Sequence, residues 1–128
     1  MIKTELIIKK SRFISYAFEL TDKANLKEII SSVQKENKKA RHVCYGYLIY
    51  QNGVESGGFN DDGEPKNTAG RPIYDLLQLK KMYNYVIVVA RYFGGIKLGA
   101  GGLIRAYRES ALLAINQISK GVENENFK

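Results

Sequence analysis

The chain has one cysteine (Cys44), one histidine (His42), two prolines and no tryptophan. A lone thiol excludes an internal disulfide and suits a reducing compartment. Metal ligation through His42 and Cys44 alone is too sparse for a zinc-type site. No apolar run approaches the roughly 20 residues that cross a bilayer. The first residues, Met1-Ile2-Lys3-Thr4-Glu5-Leu6, lack the apolar core of a secretory signal. These absences lead us to expect a cytoplasmic protein without membrane contact. No internal repeat and no Pro- or Ser-rich linker interrupts the 128 residues. We therefore expect one domain over 1–118 and a frayed polar tail over 119–128.

What is present in excess is positive charge: 20 Lys and Arg against 13 acids, a net +7. That balance favours anionic partners such as nucleic acid, acidic protein surfaces or phosphorylated small molecules. A merely solubilising surface is the plainer alternative. The nine tyrosines suit base stacking, but most are assigned to the core. With 45% apolar residues, the chain can bury a core without covalent staples.

Leu6–Ile8 and Phe13–Leu20 are rich in β-branched and aromatic residues and flank the polar break Lys9–Arg12. They read as two strands and a turn. Thr21 or Asp22 caps a helix with Leu26, Ile29, Ile30 and Val33 on one face, ending in the cationic run Lys35–Lys39. Val43–Tyr50 is a strand, Gln51-Asn52-Gly53 a turn and Val54–Phe59 a weaker strand. Asn60–Gly70 is loop, and Pro72 opens a helix that buries Ile73, Leu76 and Leu77. Tyr85–Tyr92 is apolar on both alternations, as in a central strand. A last helix begins near Gly101 or Gly102, with Leu103, Ala106, Tyr107, Ser110, Leu113 and Ala114 inward. Arg105, Arg108 and Glu109 face out, and Arg105 can pair with Glu109. The expected fold is α/β (α+β): a two-layer mixed sheet with helices mainly on one face.

Three segments carry chemistry. Arg91–Leu103 runs from strand through glycines to a helix start, with five glycines in nine residues. Backbone amides can converge there on an anion, aided by the helix dipole. Candidate anion- or RNA-binding residues are Arg91, Gly94, Gly95, Lys97, Gly99, Gly101, Gly102 and Arg105, with Arg71 nearby. The segment is neither a Walker loop nor a dinucleotide fingerprint, since position 104 is Ile where the latter needs Gly. Its glycines have a second explanation in close packing on the sheet. Asp61, Asp62 and Glu64 form an acidic loop able to serve acid–base chemistry or a hard cation. Turn formation, with Thr68 capping the Pro72 helix, explains the same residues. His42 and Cys44 share a strand face, but parallel side chains and no orienting third group argue against a nucleophile pair. We expect no catalytic residue, no metal and no cofactor.

Four stretches occur in the order of a known family: Lys10-Ser11-Arg12-Phe13-Ile14; Arg41-His42-Val43-Cys44-Tyr45; Asp61-Asp62-Gly63-Glu64-Pro65 with Thr68-Ala69-Gly70-Arg71-Pro72; and Arg91–Leu103 with Arg105-Ala106-Tyr107. They resemble the IMPACT N-terminal / YigZ family over about residues 5–115. The resemblance implies a fold like the second domain of ribosomal protein S5. It also implies contact with RNA or the translation machinery. The eukaryotic relatives regulate translation by competing for the activator of an amino-acid-starvation kinase. Two departures stand out. Lys66 and Asn67 replace a Ser-Gly pair, and the ferredoxin-like second domain of bacterial relatives is expected to be absent.

Three functions are weighed. The first is a non-enzymatic, translation-linked factor that binds RNA or a ribosome-associated partner through the basic glycine-rich loop. The second is a protein-binding regulator. The third, against which the residues lean, is a small enzyme for an anionic metabolite. It requires the acidic loop to meet Lys97 and the last helix.

Overall fold

A computed structural model describes the backbone of residues 1–126 and the side chains through residue 119. Strands β1 (Ile2–Ile8) and β2 (Ser11–Glu19) form a hairpin, followed by helix α1 (Leu26–Glu36). Strands β3 (His42–Gln51) and β4 (Val54–Asn60) form a second hairpin. Then come α2 (Gly70–Leu79), β5 (Tyr85–Tyr92) and α3 (Gly99–Asn126). Both hairpin turns place two successive residues at positive φ: Lys9 and Lys10 at 47° and 67°, Asn52 and Gly53 at 52° and 75°. That backbone matches the twist of the flanking strands.

The sheet order is β1-β2-β5-β3-β4. Every pairing is antiparallel, so the α+β class holds but the sheet is not mixed. The reason is β5. Joined by α1, β2 and β3 run parallel to each other, yet they are not neighbours. The most apolar strand slots between them, antiparallel to both, where each of its faces is covered. Val86–Ala90 are fully buried there.

Helices α2 and α3 cover the face that carries Phe13, Ala17, Cys44, Leu48, Ile87 and Val89. The opposite face, with Ile14, Tyr16, Val43, Tyr47 and Val88, packs on α1 through Leu26 and Val33. The helices lie mainly on one face as expected, and α1 adds a partial third layer to the two-layer picture.

Three further expectations change. Strand β1 starts at Ile2 rather than Leu6, because Ile2–Glu5 pair with Ile14–Ala17. Helix α3 starts at Gly99, two or three residues early, and runs through Asn126. The tail 119–128 falls almost wholly outside the described side chains. Leu113 is 38% exposed; Ala111 and Ile115 join Ala114 on the inward stripe in its place.

The glycine-rich segment reaches the sheet by a backbone contact. A β-carbon on Gly94 would lie 2.0 Å from the carbonyl oxygen of Lys10. Backbone cannot move aside as a flexible side chain can, so Gly94→Ala must separate this segment from the β1–β2 turn. We expect it to lower the unfolding free energy by about 2–3 kcal/mol, read from denaturant midpoints. An unchanged midpoint would show that the close approach is dispensable.

Candidate functional site

One end of the sheet collects the three chemical segments. By register, Phe13, Arg91 and His42 are cross-strand neighbours on β2, β5 and β3. Their shared face is the one under α3, so Arg91 points inward and is only 5% exposed. A buried guanidinium needs an anion, and the acidic loop supplies one. Glu64 is 8% exposed and receives Arg91 Nη1 at 3.0 and 2.8 Å on its two oxygens. The Tyr107 hydroxyl of α3 donates to Glu64 Oε2 at 2.5 Å. His42 Nε2 stands 3.4 Å from Glu64 Oε1. Arg91 Nη2 also donates to Ser11 Oγ at 3.4 Å. One carboxylate thus ties together β2, β3, β5, α3 and its own loop.

The loop is held by its other two carboxylates. Asp61 accepts from the backbone N–H groups of Asn67, Ala69 and Gly70 at 2.9, 3.2 and 2.8 Å. It caps α2, the role the sequence suggests for Thr68. Thr68 instead turns back to the carbonyl of Pro65 at 2.5 Å. Asp62 accepts from Val43 N–H at 2.7 Å, and its carbonyl lies 2.7 Å from His42 Nδ1. No group of three or more His, Cys, Asp or Glu able to hold a metal occurs among the described residues.

Cys44 is fully buried, with Sγ 3.1 Å from the Asp61 carbonyl and 3.6 Å from the Tyr107 hydroxyl. Burial raises its pKa well above the usual thiol range, reinforced by Glu64, Asp62 and Asp61 against the Tyr107 bond. Burial likewise raises Tyr107, with Cys44 and Glu64 adding to the effect. Both groups stay neutral. Cys44 has no access to a partner, so it is a packed thiol.

Above Glu64 opens a cleft of ≈ 400 Å³, walled by Arg41, His42, Pro65, Phe93, Lys97 and the first residues of α3. The acidic loop and the glycine-rich segment therefore meet. The predicted residues divide among several roles. Lys97 and Gly99 line the cleft. Gly95 is an exposed turn residue, and Gly101 and Gly102 lie in the first turn of α3. Arg71 is on α2, bonded to Asp75 at 2.9 Å and placed over Phe59, and it does not line the cleft. Arg105 does not pair with Glu109 among the described residues. Helical side chains lean toward the N-terminus, and its guanidinium folds back over Gly101. Arg41 and Phe93 line the cleft and the Tyr107 hydroxyl meets Glu64, although none of the three is among the predicted binding residues. Arg41 and Arg91 stack on Phe93 at 4.8 and 5.5 Å, contacts that no spacing along the chain announces.

Fold and site together define a small α+β domain with a cation-edged cleft over a neutralised ionic core. The Impact N-terminal domain family model matches residues 9–115, and the chain belongs to that family. It is 43% identical over 114 residues to the IMPACT family member YvyE of Bacillus subtilis, covering 89% of this chain and 52% of that protein. A crystal structure described as a hypothetical protein matches with a TM-score of 0.85 at 36% identity, over 91% of this chain and 57% of the other. The two-domain translational regulator Yih1 shares the fold, with a TM-score of 0.53 at 24% identity over 86% of this chain and 45% of that one. The chain spans about half the length of the curated relatives it matches.

Breaking a buried ion pair leaves the surviving charge unanswered. Glu64→Gln and Arg91→Met should each lower the unfolding free energy by about 3–5 kcal/mol, and the double variant by clearly less than the sum. Strictly additive losses in denaturant unfolding would mean that the two residues do not act as a pair. Cys44 should react with a thiol reagent only at the rate of opening or unfolding; prompt labelling of the native protein would contradict its burial.

Proposed function

We propose that this domain is a non-enzymatic binding module in a translation-linked process, taking RNA or a ribosome-associated partner at the basic end of its sheet. The observation that carries the reading is the placement of charge. Topology brings the β1–β2 turn, the starts of β3 and α3 and the end of β5 to one end. Lys9, Lys10, Arg41, Lys97 and Arg105 are thereby exposed together, and none of them makes an ion pair among the described residues. Inside, Arg91 is answered by Glu64. An unanswered basic rim over a neutral interior fits a polyanionic surface. The link to translation comes from the family and from the description of Yih1.

A second reading has one observation in its favour. Glu64 and Lys97 line the same cleft, which an enzyme for an anionic metabolite requires. Glu64 is nevertheless engaged by Arg91 and Tyr107, which suits an anchor better than a free base.

Filter binding of a structured RNA across a salt series tests the proposal. Affinity should fall steeply with salt, and Lys97→Ala with Arg105→Ala should weaken binding and flatten the log–log slope by about 1 per lost phosphate contact. Absence of binding at low salt, or a flat salt response, counts against RNA. Partners that survive nuclease treatment in a pull-down would favour the protein-binding regulator.

A further inference from the structure

The cleft beside α3 concentrates positive potential that the fold does not answer. Arg41 and Lys97 are exposed and make no ion pair among the described residues. Helix α3 opens Gly99-Ala100-Gly101-Gly102 behind Leu98, so its first turn holds no acidic residue and no side chain able to cap its amides. Arg105 folds back to the same turn, its Nη1 3.4 Å from where a β-carbon of Gly101 would stand. Cations at the positive end of a helix are unfavourable by the sign of its dipole.

Arg91 supplies an independent observation. It lines the same cleft and is 5% exposed. Its terminal nitrogens serve Glu64 and Ser11, and Nε has no partner among the described residues. An unsatisfied buried donor on a charged group is costly. Glu64, the one carboxylate in the cleft wall among the described residues, is already engaged.

We infer that this cleft binds a phosphate monoester group. A monoester carries roughly −1.5 to −2 charges near neutral pH, matching Arg41 and Lys97 together. Its oxygens accept from the free amides of Gly99 and Ala100, as phosphates do at helix starts. An internal phosphodiester, with one charge, leaves one cation unanswered. The cleft volume of ≈ 400 Å³ lies in the range of small-molecule sites. Phe93, Pro65 and Leu98 provide apolar wall for the body that carries the phosphate. The inference rests on the basic-end reading and names the group recognised, which arrives on a free metabolite or at an RNA 5′ end.

Amide NMR titrations at constant ionic strength test it. The titrants are inorganic phosphate, a 5′-phosphorylated oligoribonucleotide and the same oligomer with a 5′-hydroxyl. Saturable shifts at Gly99 and Ala100 are expected with phosphate and are absent with chloride. Lys97→Ala and Arg41→Ala should each weaken phosphate binding about tenfold, while Lys27→Ala on α1 leaves it unchanged; dispersed spectra check that the variants fold. Preference for the phosphorylated oligomer assigns the RNA end as source. Shifts with phosphate and with neither oligomer assign a small metabolite and remove the RNA reading. Equal binding of both oligomers without response to phosphate overturns the monoester site and leaves the basic-end reading standing. No response to any titrant overturns the monoester site and the RNA reading together, and leaves the basic end to a protein partner read by the pull-down.

Discussion

A carboxylate taken out of water must be met by charge and hydrogen bonds, or the chain rearranges until it is. Glu64 sets that demand here, and four elements answer it: Arg91 from β5, Tyr107 from α3, His42 from β3 and Ser11 through Arg91 from β2. The pairing is not a large net source of stability, because the desolvation of both ions offsets much of their attraction. Its effect is on arrangement. With Arg91 buried, the end of β5 has one inward register, and the acidic loop has one position over the sheet.

The rest of the end follows from that position. Asp61 caps α2 and Asp62 takes the first amide of β3 after His42, so three neighbouring acids are each committed to a different element. The segment after β5 then passes against the β1–β2 turn at Gly94, where only a missing side chain allows the approach. Beyond it α3 begins with Gly99-Ala100-Gly101-Gly102 and no acidic residue in its first turn. The loop's acids are engaged by the fold, Glu64 in the interior, while Arg41 and Lys97 stay exposed without an ion pair among the described residues. The contrast between a neutral ionic core and a bare basic edge makes this end of the molecule suited to an anionic partner.

Much of the local structure was legible. Alternation marks β3, the 3.6-residue stripes mark α1 and α2, and Asn52-Gly53 marks its turn, because each signal depends on neighbours a few residues away. Signals that depend on distant strands were not legible. The full length of β1 needs its pairing with β2, and the antiparallel order needs β5 to enter between two strands already joined by α1. Residue type marks Arg91 as an anion-binding candidate and Asp61, Asp62 and Glu64 as an acidic loop, but their sequence neighbourhoods do not say that Arg91 and Glu64, 27 residues apart, meet inside the fold.

By itself the sequence determined the elements, the charge balance and the family, since residue type and spacing set backbone preference and surface composition directly. Only the tertiary structure decided which charges survive at the surface. Burial and pairing are properties of contacts across the fold. The same arginine is a binding group or a structural ion according to whether a carboxylate from another segment reaches it.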